Sequence, residues 1–154
     1  MSRALLAVTI HGQPRGKQRA RRSRHGGVFT PHETVEWESG AALMMRTAWP
    51  TKRPHPRPVT VEVWAIGRRP KRLCRRSDPD GLMWRPVTPD GDNVLKAACD
   101  ALKRAGVVTD DARFVAKLVL SLYAEKNGHP RVEVIVREAV GAGPWGWRRG
   151  GAAS

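Results

Sequence analysis

Carboxylate side chains are concentrated in one part of this sequence. All seven aspartates lie between positions 78 and 111, with Asp90 and Asp92 two residues apart and Asp110 and Asp111 adjacent further along. Carboxylates held close together cannot all stay ionised unless a cation neutralises them. Oxygen-only ligands of this kind suit Mg²⁺ or Mn²⁺, which also accept phosphate oxygens as ligands. If these side chains converge, they predict a divalent metal site that acts on phosphate esters.

Each of these acidic residues also has an ordinary structural explanation. Asp92 is a favourable residue near a helix start, and the TDD sequence fits a turn. Lys96, four residues after Asp92, predicts an ion pair on one helix face, or a cation that steadies the carboxylates or a phosphate oxygen. Asp100, which is close in sequence to Lys103 and Arg104, is interpreted as an ion-pair residue rather than a metal ligand.

The rest of the chain is strongly basic, which predicts a polyanionic partner and, first of all, nucleic acid. Lys and Arg number 28 against 14 acidic residues, for a net charge of +14 and a pI near 11.3. Two segments without apolar periodicity carry much of this charge, and we interpret both as DNA-binding loops. Their basic residues are Arg15, Lys17, Arg19, Arg21, Arg22 and Arg24, then Arg68, Arg69, Lys71, Arg72, Arg75 and Arg76.

Other protein classes find less support in the sequence. No basic amphipathic helix, lipidation signal or apolar run of membrane-spanning length is evident, so we expect a soluble protein in the cytoplasm. Cys74 and Cys99 form no CxxC pair and have no histidine at metal-like spacing, so zinc is not expected. Cys99 falls on the inward stripe of a helical segment, where packing is its expected role.

The periodicity of apolar residues predicts an α+β domain with a small mixed β-sheet and two main helices, in the order β-α-β-α-β-β. The first strand is expected at residues 3–10 and the next at 59–66. The last two strands, FVAKLVLSLYAEK and RVEVIVRE, are predicted to form a hairpin across Asn127 and Gly128. We place one domain at residues 1–139 and a flexible Gly-rich tail at 140–154, whose Trp145 and Trp147 are candidates for stacking.

Start and stop signals define the two helices. The first is predicted to have Thr30 as its N-cap and Pro31 at its first position, with Glu33 completing a capping box. Its expected inward residues are Val35, Trp37, Leu43 and Met44. The second runs from about Asp92 to Ala105 and ends at a C-cap glycine, Gly106.

The second helix sets a geometric condition on the metal site. A helix of this length spans about 21 Å, so Asp111 can approach Asp90 and Asp92 only if the chain doubles back after Gly106. The short apolar pair Val107 and Val108 is expected to make that return, along the helix or by pairing with the next strand.

Residues 90 to 111 carry a family resemblance. PDGDNVLKAACDALKRAGVVTDDARF resembles the signature of the RusA-type Holliday junction resolvases, D-x-D-N-x-x-K-x-x-x-D-x-L followed by a glycine-containing turn and a D-D pair. The residues in register are Asp90, Asp92, Asn93, Lys96, Asp100, Leu102, Gly106, Asp110 and Asp111. The likeness extends more loosely over residues 3 to 138.

The resemblance implies a Mg²⁺-dependent homodimeric endonuclease that cuts two symmetric strands of a four-way DNA junction. It makes Asp90, Asp92 and Asp111 the catalytic, metal-binding carboxylates, with Asp110 a lesser ligand and Lys96 the essential basic residue near them. Two rival interpretations stay open. One is a non-catalytic basic DNA-binding phage protein, and the other is a less selective nuclease of branched DNA or RNA.

Overall fold

A computed structural model describes residues 3–140, which form two helices and a mixed sheet. The strands are β1 (Ala4–His11), β2 (Arg21–Arg22), β3 (Val28–Phe29), β4 (Val59–Gly67), β5 (Met83–Trp84), β6 (Phe114–Tyr123) and β7 (Arg131–Glu138). The helices are α1 (His32–Ala48) and α2 (Gly91–Arg104), and short 3-10 turns occupy Lys71–Leu73 and Asp111–Arg113. The predicted α+β class and the order of the main elements are confirmed. The three two-residue strands were not predicted.

Five strands form the main sheet, in the order β1-β7-β4-β6-β5. β4 and β6 run parallel, and every other neighbouring pair is antiparallel, so the sheet is mixed as predicted. The strands β2 and β3 form a separate two-stranded hairpin at the end of the first basic segment. β4 lies at the centre of the main sheet and is buried along most of its length.

The predicted hairpin between the last two strands is wrong, because β4 lies between β6 and β7. The turn itself forms, and Gly128 N donates to Glu125 O at 2.8 Å. It carries the chain across the end of β4, where Ala124 N donates to Gly67 O at 2.8 Å. A strand as apolar as β4 is most stable with neighbours on both sides. The burial of β4 therefore determines which strands pair, despite the local turn signal between β6 and β7.

The core lies between the sheet and the two helices. Inward-facing β4 residues Val59, Val61 and Val63 are buried against the same cluster as Leu102 of α2. Cys99 of α2 is 4% exposed, which confirms its predicted packing role. Gly106 has a φ of 76°, as expected for the C-cap glycine of α2.

The predicted inward face of α1 is wrong. Its buried residues are Thr34, Ala41, Ala42 and Met45, whereas Leu43 is 68% exposed and Val35 and Met44 are also exposed. Trp37 alone of the predicted set packs partly against the core. The small alanines let α1 approach its neighbours α2 and β1 closely. The helix also starts one residue later than predicted, with Pro31 as the N-cap and no side-chain capping bond.

Within residues 3–140, the helices are too short or too polar to cross a bilayer. The predicted tail lies outside the described residues, except for Val140.

Candidate active site

Asp90 stands directly before α2 with its carboxylate free. Its backbone is extended, and its carbonyl accepts the first helical bonds from Asn93 N at 3.0 Å and Val94 N at 3.2 Å. The side chain makes no capping hydrogen bond, although Asp at this position usually makes one. It lines a cavity of about 380 Å³, together with Asn93 and residues of the first basic segment. An uncapped, solvent-facing carboxylate is available to a ligand.

Gly91 fixes where this end of α2 lies. A Cβ atom at Gly91 would come within 2.9 Å of Ser121 Oγ and 3.3 Å of both methyl groups of Val119. A larger residue would force Ser121 and Val119 to shift, so glycine favours this close approach. The start of α2 and the Asp90 carboxylate are consequently held beside the C-terminal half of β6.

Asp92, in the first turn of α2, forms the predicted ion pair with Lys96. Lys96 Nζ lies 2.9 Å from Asp92 Oδ2, and both side chains are well exposed. An exposed i,i+4 pair contributes only a few tenths of a kcal/mol to stability. The pair does little for the fold and leaves both groups accessible at the mouth of the site.

Asp111 lies at the other end of α2. Lys103 Nζ is 3.0 Å from Asp111 Oδ2 and 3.1 Å from Asp100 Oδ1, so one lysine bridges the two carboxylates. Asp110 is engaged in the local turn, where its Oδ1 accepts from Ala112 N at 2.8 Å. The sequence also allowed an ordinary turn role for the two adjacent aspartates, and Asp110 has that role.

The carboxylates do not converge within a single chain. Among residues 3–140, no three acidic, His or Cys side chains come close enough to hold one ion. The chain does return after Gly106, but it does so along β6, and Asp111 stands at the beginning of that strand. Asp90 and Asp92 therefore share one end of a helix about 21 Å long, and Asp111 lies toward the other.

Asp100 fulfils its predicted ion-pair role and anchors the first basic segment. It pairs with Lys103 and with Lys17, whose backbone N also donates to Asn93 O at 3.0 Å. Although burial acts to raise the pKa of Asp100, the hydrogen bonds from Lys17 and Lys103 hold that pKa below its usual value. The segment is thereby fastened along α2.

The predicted DNA-binding residues are not all equally available. Arg15 is paired with Glu33 at 3.1 Å, and Lys17 is paired with Asp100. Arg69 is buried, and its guanidinium donates to the carbonyls of Leu73, Pro79 and Gly81, so it holds the second basic loop together from inside. The remaining members are all exposed, namely Arg19, Arg21, Arg22, Arg24, Arg68, Lys71, Arg72, Arg75 and Arg76.

One residue that the sequence did not single out supports the approach to Asp90. Arg85 is 6% exposed, and its Nη1 donates to Thr88 O at 3.0 Å while Nη2 lies 3.3 Å from Pro89 O. These bonds hold the segment that leads into α2. Arg85 lies in a stretch without periodicity, so only its place just before the acidic motif could have drawn attention to it.

The sequence model of one family, endodeoxyribonuclease RusA, matches residues 11–137, most of the chain and every candidate catalytic position. The chain belongs to the RusA family. It is therefore an endonuclease of the Holliday junction resolvase class, which disfavours the interpretation as a non-catalytic DNA-binding protein. None of the curated proteins compared with the chain matches it.

Proposed function

We propose that this RusA-family protein resolves four-way DNA junctions as a homodimer, by Mg²⁺-dependent hydrolysis of two symmetric strands. The observation that carries the proposal is the uncapped Asp90 carboxylate beside Asp92, on a chain otherwise rich in positive charge. Mn²⁺ is a chemically similar substitute.

The acidic pair suits a magnesium ion. Mg²⁺ in proteins is usually held by one or two carboxylates, several waters and phosphate oxygens. Asp90 and Asp92 would supply that pair from one subunit, at an exposed position that DNA can reach. When bound, the ion would neutralise charge on the scissile phosphate and lower the pKa of a water.

The basic residues near the pair have complementary tasks. Lys96, already paired with Asp92, would donate to a phosphoryl oxygen as charge accumulates there. The exposed arginines of the two basic loops would bind phosphates on either side of the cut, making affinity strongly dependent on salt.

Asp111 requires a second subunit if it is to join this site. β5 pairs only with Leu122 and Tyr123 of β6. The earlier part of β6 is thus an edge without a partner strand in residues 3–140, and it exposes Val115 and Leu118. Such an edge is a ready template for pairing with another chain.

Antiparallel pairing of two β6 edges would bring the acids together. With the two-fold axis near Lys117, Phe114 of one subunit would lie opposite Leu120 of the partner subunit, in the part of β6 that β5 leaves unpaired. The partner subunit's Asp111, just before its own β6, would then lie toward Ser121 and the start of α2. The dimer would then hold two equivalent sites, each made from both subunits. That symmetry fits a junction with two opposed strands to cut.

The test is incubation of a synthetic four-way junction with and without Mg²⁺, analysed on a denaturing gel. We expect paired symmetric cuts only with the metal, and no cutting by Asp92→Asn. Asp80→Asn is the matched control, because Asp80 is an exposed aspartate of the second basic loop, paired with Lys126. Cleavage by Asp92→Asn at the wild-type rate would remove the metal site. Equal cutting of flap, duplex and single-stranded competitors would remove junction selectivity and favour the less selective nuclease.

A further inference from the structure

A second cavity lies next to the one that contains Asp90. It measures about 330 Å³, and its lining includes Gln13, Arg15, Gly67, Arg68, Arg85 and Tyr123. Pro14, Arg15, Thr88 and Pro89 line both cavities, so the two are neighbours across a shared wall. Among its described lining residues none is acidic, whereas the first cavity contains Asp90 and Glu33.

Arg85 gives this cavity a buried positive charge without a counter-ion. Its hydrogen bonds go to backbone carbonyls, and no carboxylate of residues 3–140 forms an ion pair with it. Its Nε is buried and has no hydrogen-bond partner. Burial lowers the pKa of Arg85, with a small opposing effect from Tyr123. A buried charge with an unused donor is costly to maintain unless an anion completes it.

The strand end holds the guanidinium in place. A Cβ atom at Gly67 would lie 2.9 Å from Arg85 Cδ and 3.1 Å from Nε, so the side chain packs directly on the glycine backbone. The carbonyls of Thr88 and Pro89 fix its other side. The guanidinium is therefore held at the cavity wall before any ligand binds, which lowers the cost of binding an anion there.

We propose that this cavity binds a phosphodiester group of the cleaved strand, one position away from the scissile phosphate, with Arg85 as a positioning residue. The inference rests on the proposed function and adds a subsite to it. Arg85 would supply the positive charge in the cavity wall beside the phosphate, while the exposed Arg68 supplies further charge at the rim. Because the cavity adjoins Asp90, a phosphate held here sets which neighbouring phosphate reaches the carboxylates.

Gln13→Glu tests the site without disturbing the carbonyl bonds of Arg85. Gln13 Oε1 accepts from Arg68 N at 2.9 Å, and a carboxylate keeps that acceptor while adding negative charge to the cavity. Asn127→Asp is the matched control, since it makes the same chemical change at an exposed turn outside the cavity. Junction binding is measured by fluorescence anisotropy in EDTA, so that neither metal nor cleavage enters the readout.

We expect Gln13→Glu to bind the junction about tenfold more weakly than wild type, with a smaller salt dependence, and Asn127→Asp to change little. Single methylphosphonates, which remove one phosphate charge, are then placed around the cut site. One position should weaken wild-type binding and have no further effect on Gln13→Glu. Two results would overturn the subsite, even if the protein cleaves junctions as proposed. One is that Gln13→Glu and Asn127→Asp weaken junction binding equally. The other is that wild type and Gln13→Glu show the same methylphosphonate profile.

Discussion

Lys103 Nζ lies 3.0 Å from Asp111 Oδ2, at the end of α2 opposite to the one that Asp90 begins. This ion pair holds Asp111 beside the helix C-terminus and away from the acidic pair of its own chain. If all three carboxylates act on one phosphate, each cleavage site must contain residues of both subunits.

Mixing two inactive variants tests the shared site directly. In a dimer of one Asp92→Asn subunit and one Asp111→Asn subunit, one site would carry both changes and the other would carry neither. We therefore expect the mixture to recover cleavage, with up to about a quarter of the wild-type sites restored. The measurement is the nicking of a labelled junction after the variants are unfolded and refolded together.

The controls for this mixture are each variant refolded alone. Both should remain inactive. If the mixture is also inactive although mixed dimers are present by mass spectrometry, the site lies within one subunit or Asp111 takes no part in it.

The edge of β6 makes a second prediction. Leu118 is 48% exposed near the middle of that edge, and Leu118→Lys would place two like charges close to the two-fold axis. We expect the variant to be monomeric in analytical ultracentrifugation and to lose Mg²⁺-dependent cleavage. Leu43→Lys makes the same change on the exposed face of α1 and should leave the dimer intact. A dimeric Leu118→Lys protein would place the interface elsewhere.

Local sequence signals predicted the helices and strands of this fold better than they predicted which of these elements lie side by side. The apolar spacing of α2 and its glycine stop predicted that helix to within a residue, because both signals act within one helix. The order of strands depends on burial across the whole sheet, so the turn at Asn127 and Gly128 could not reveal that β4 separates β6 from β7. The prediction of the buried face of α1 was wrong for a related reason, because close helix packing favoured alanines over larger apolar residues.

The sequence predicted the elements on which the candidate site residues lie, but not how those elements are arranged. The spacing of Asp90, Asp92 and Lys96 placed them at the start of one helix, where the structure has them. The position of Asp111 followed from the direction of β6, which no local pattern encodes. Arg85 was missed because its burial marks it, and the burial of a single arginine leaves no periodic signal in the sequence.

The two cysteines should differ sharply in reactivity. Burial raises the pKa of Cys99 to about 11, whereas Cys74 is exposed. At pH 8 we expect Cys74 to react with a disulfide reagent at once, and Cys99 to react roughly a hundredfold more slowly or only on unfolding. Absorbance of the released thiolate counts the fast groups, and Cys74→Ser should leave none. Two fast thiols in the wild-type protein would contradict the burial of Cys99.

The link between the basic arm and α2 should weaken in acid. The ion pairs with Lys17 and Lys103 hold the pKa of Asp100 below its ordinary value of 3.8, so the stability they contribute is present above that value. It is lost as the pH falls through the lower pKa of the folded state. We expect Asp100→Asn to reduce the free energy of unfolding by about 1 kcal/mol at pH 6, and by progressively less as the pH falls below 3.8. Urea unfolding at a series of pH values measures this difference, with Asp80→Asn as an exposed control that should change stability little at any pH. A constant difference between wild type and Asp100→Asn from pH 6 to pH 2.5 would mean that the carboxylate charge does not hold the arm, and that the substitution acts only through packing.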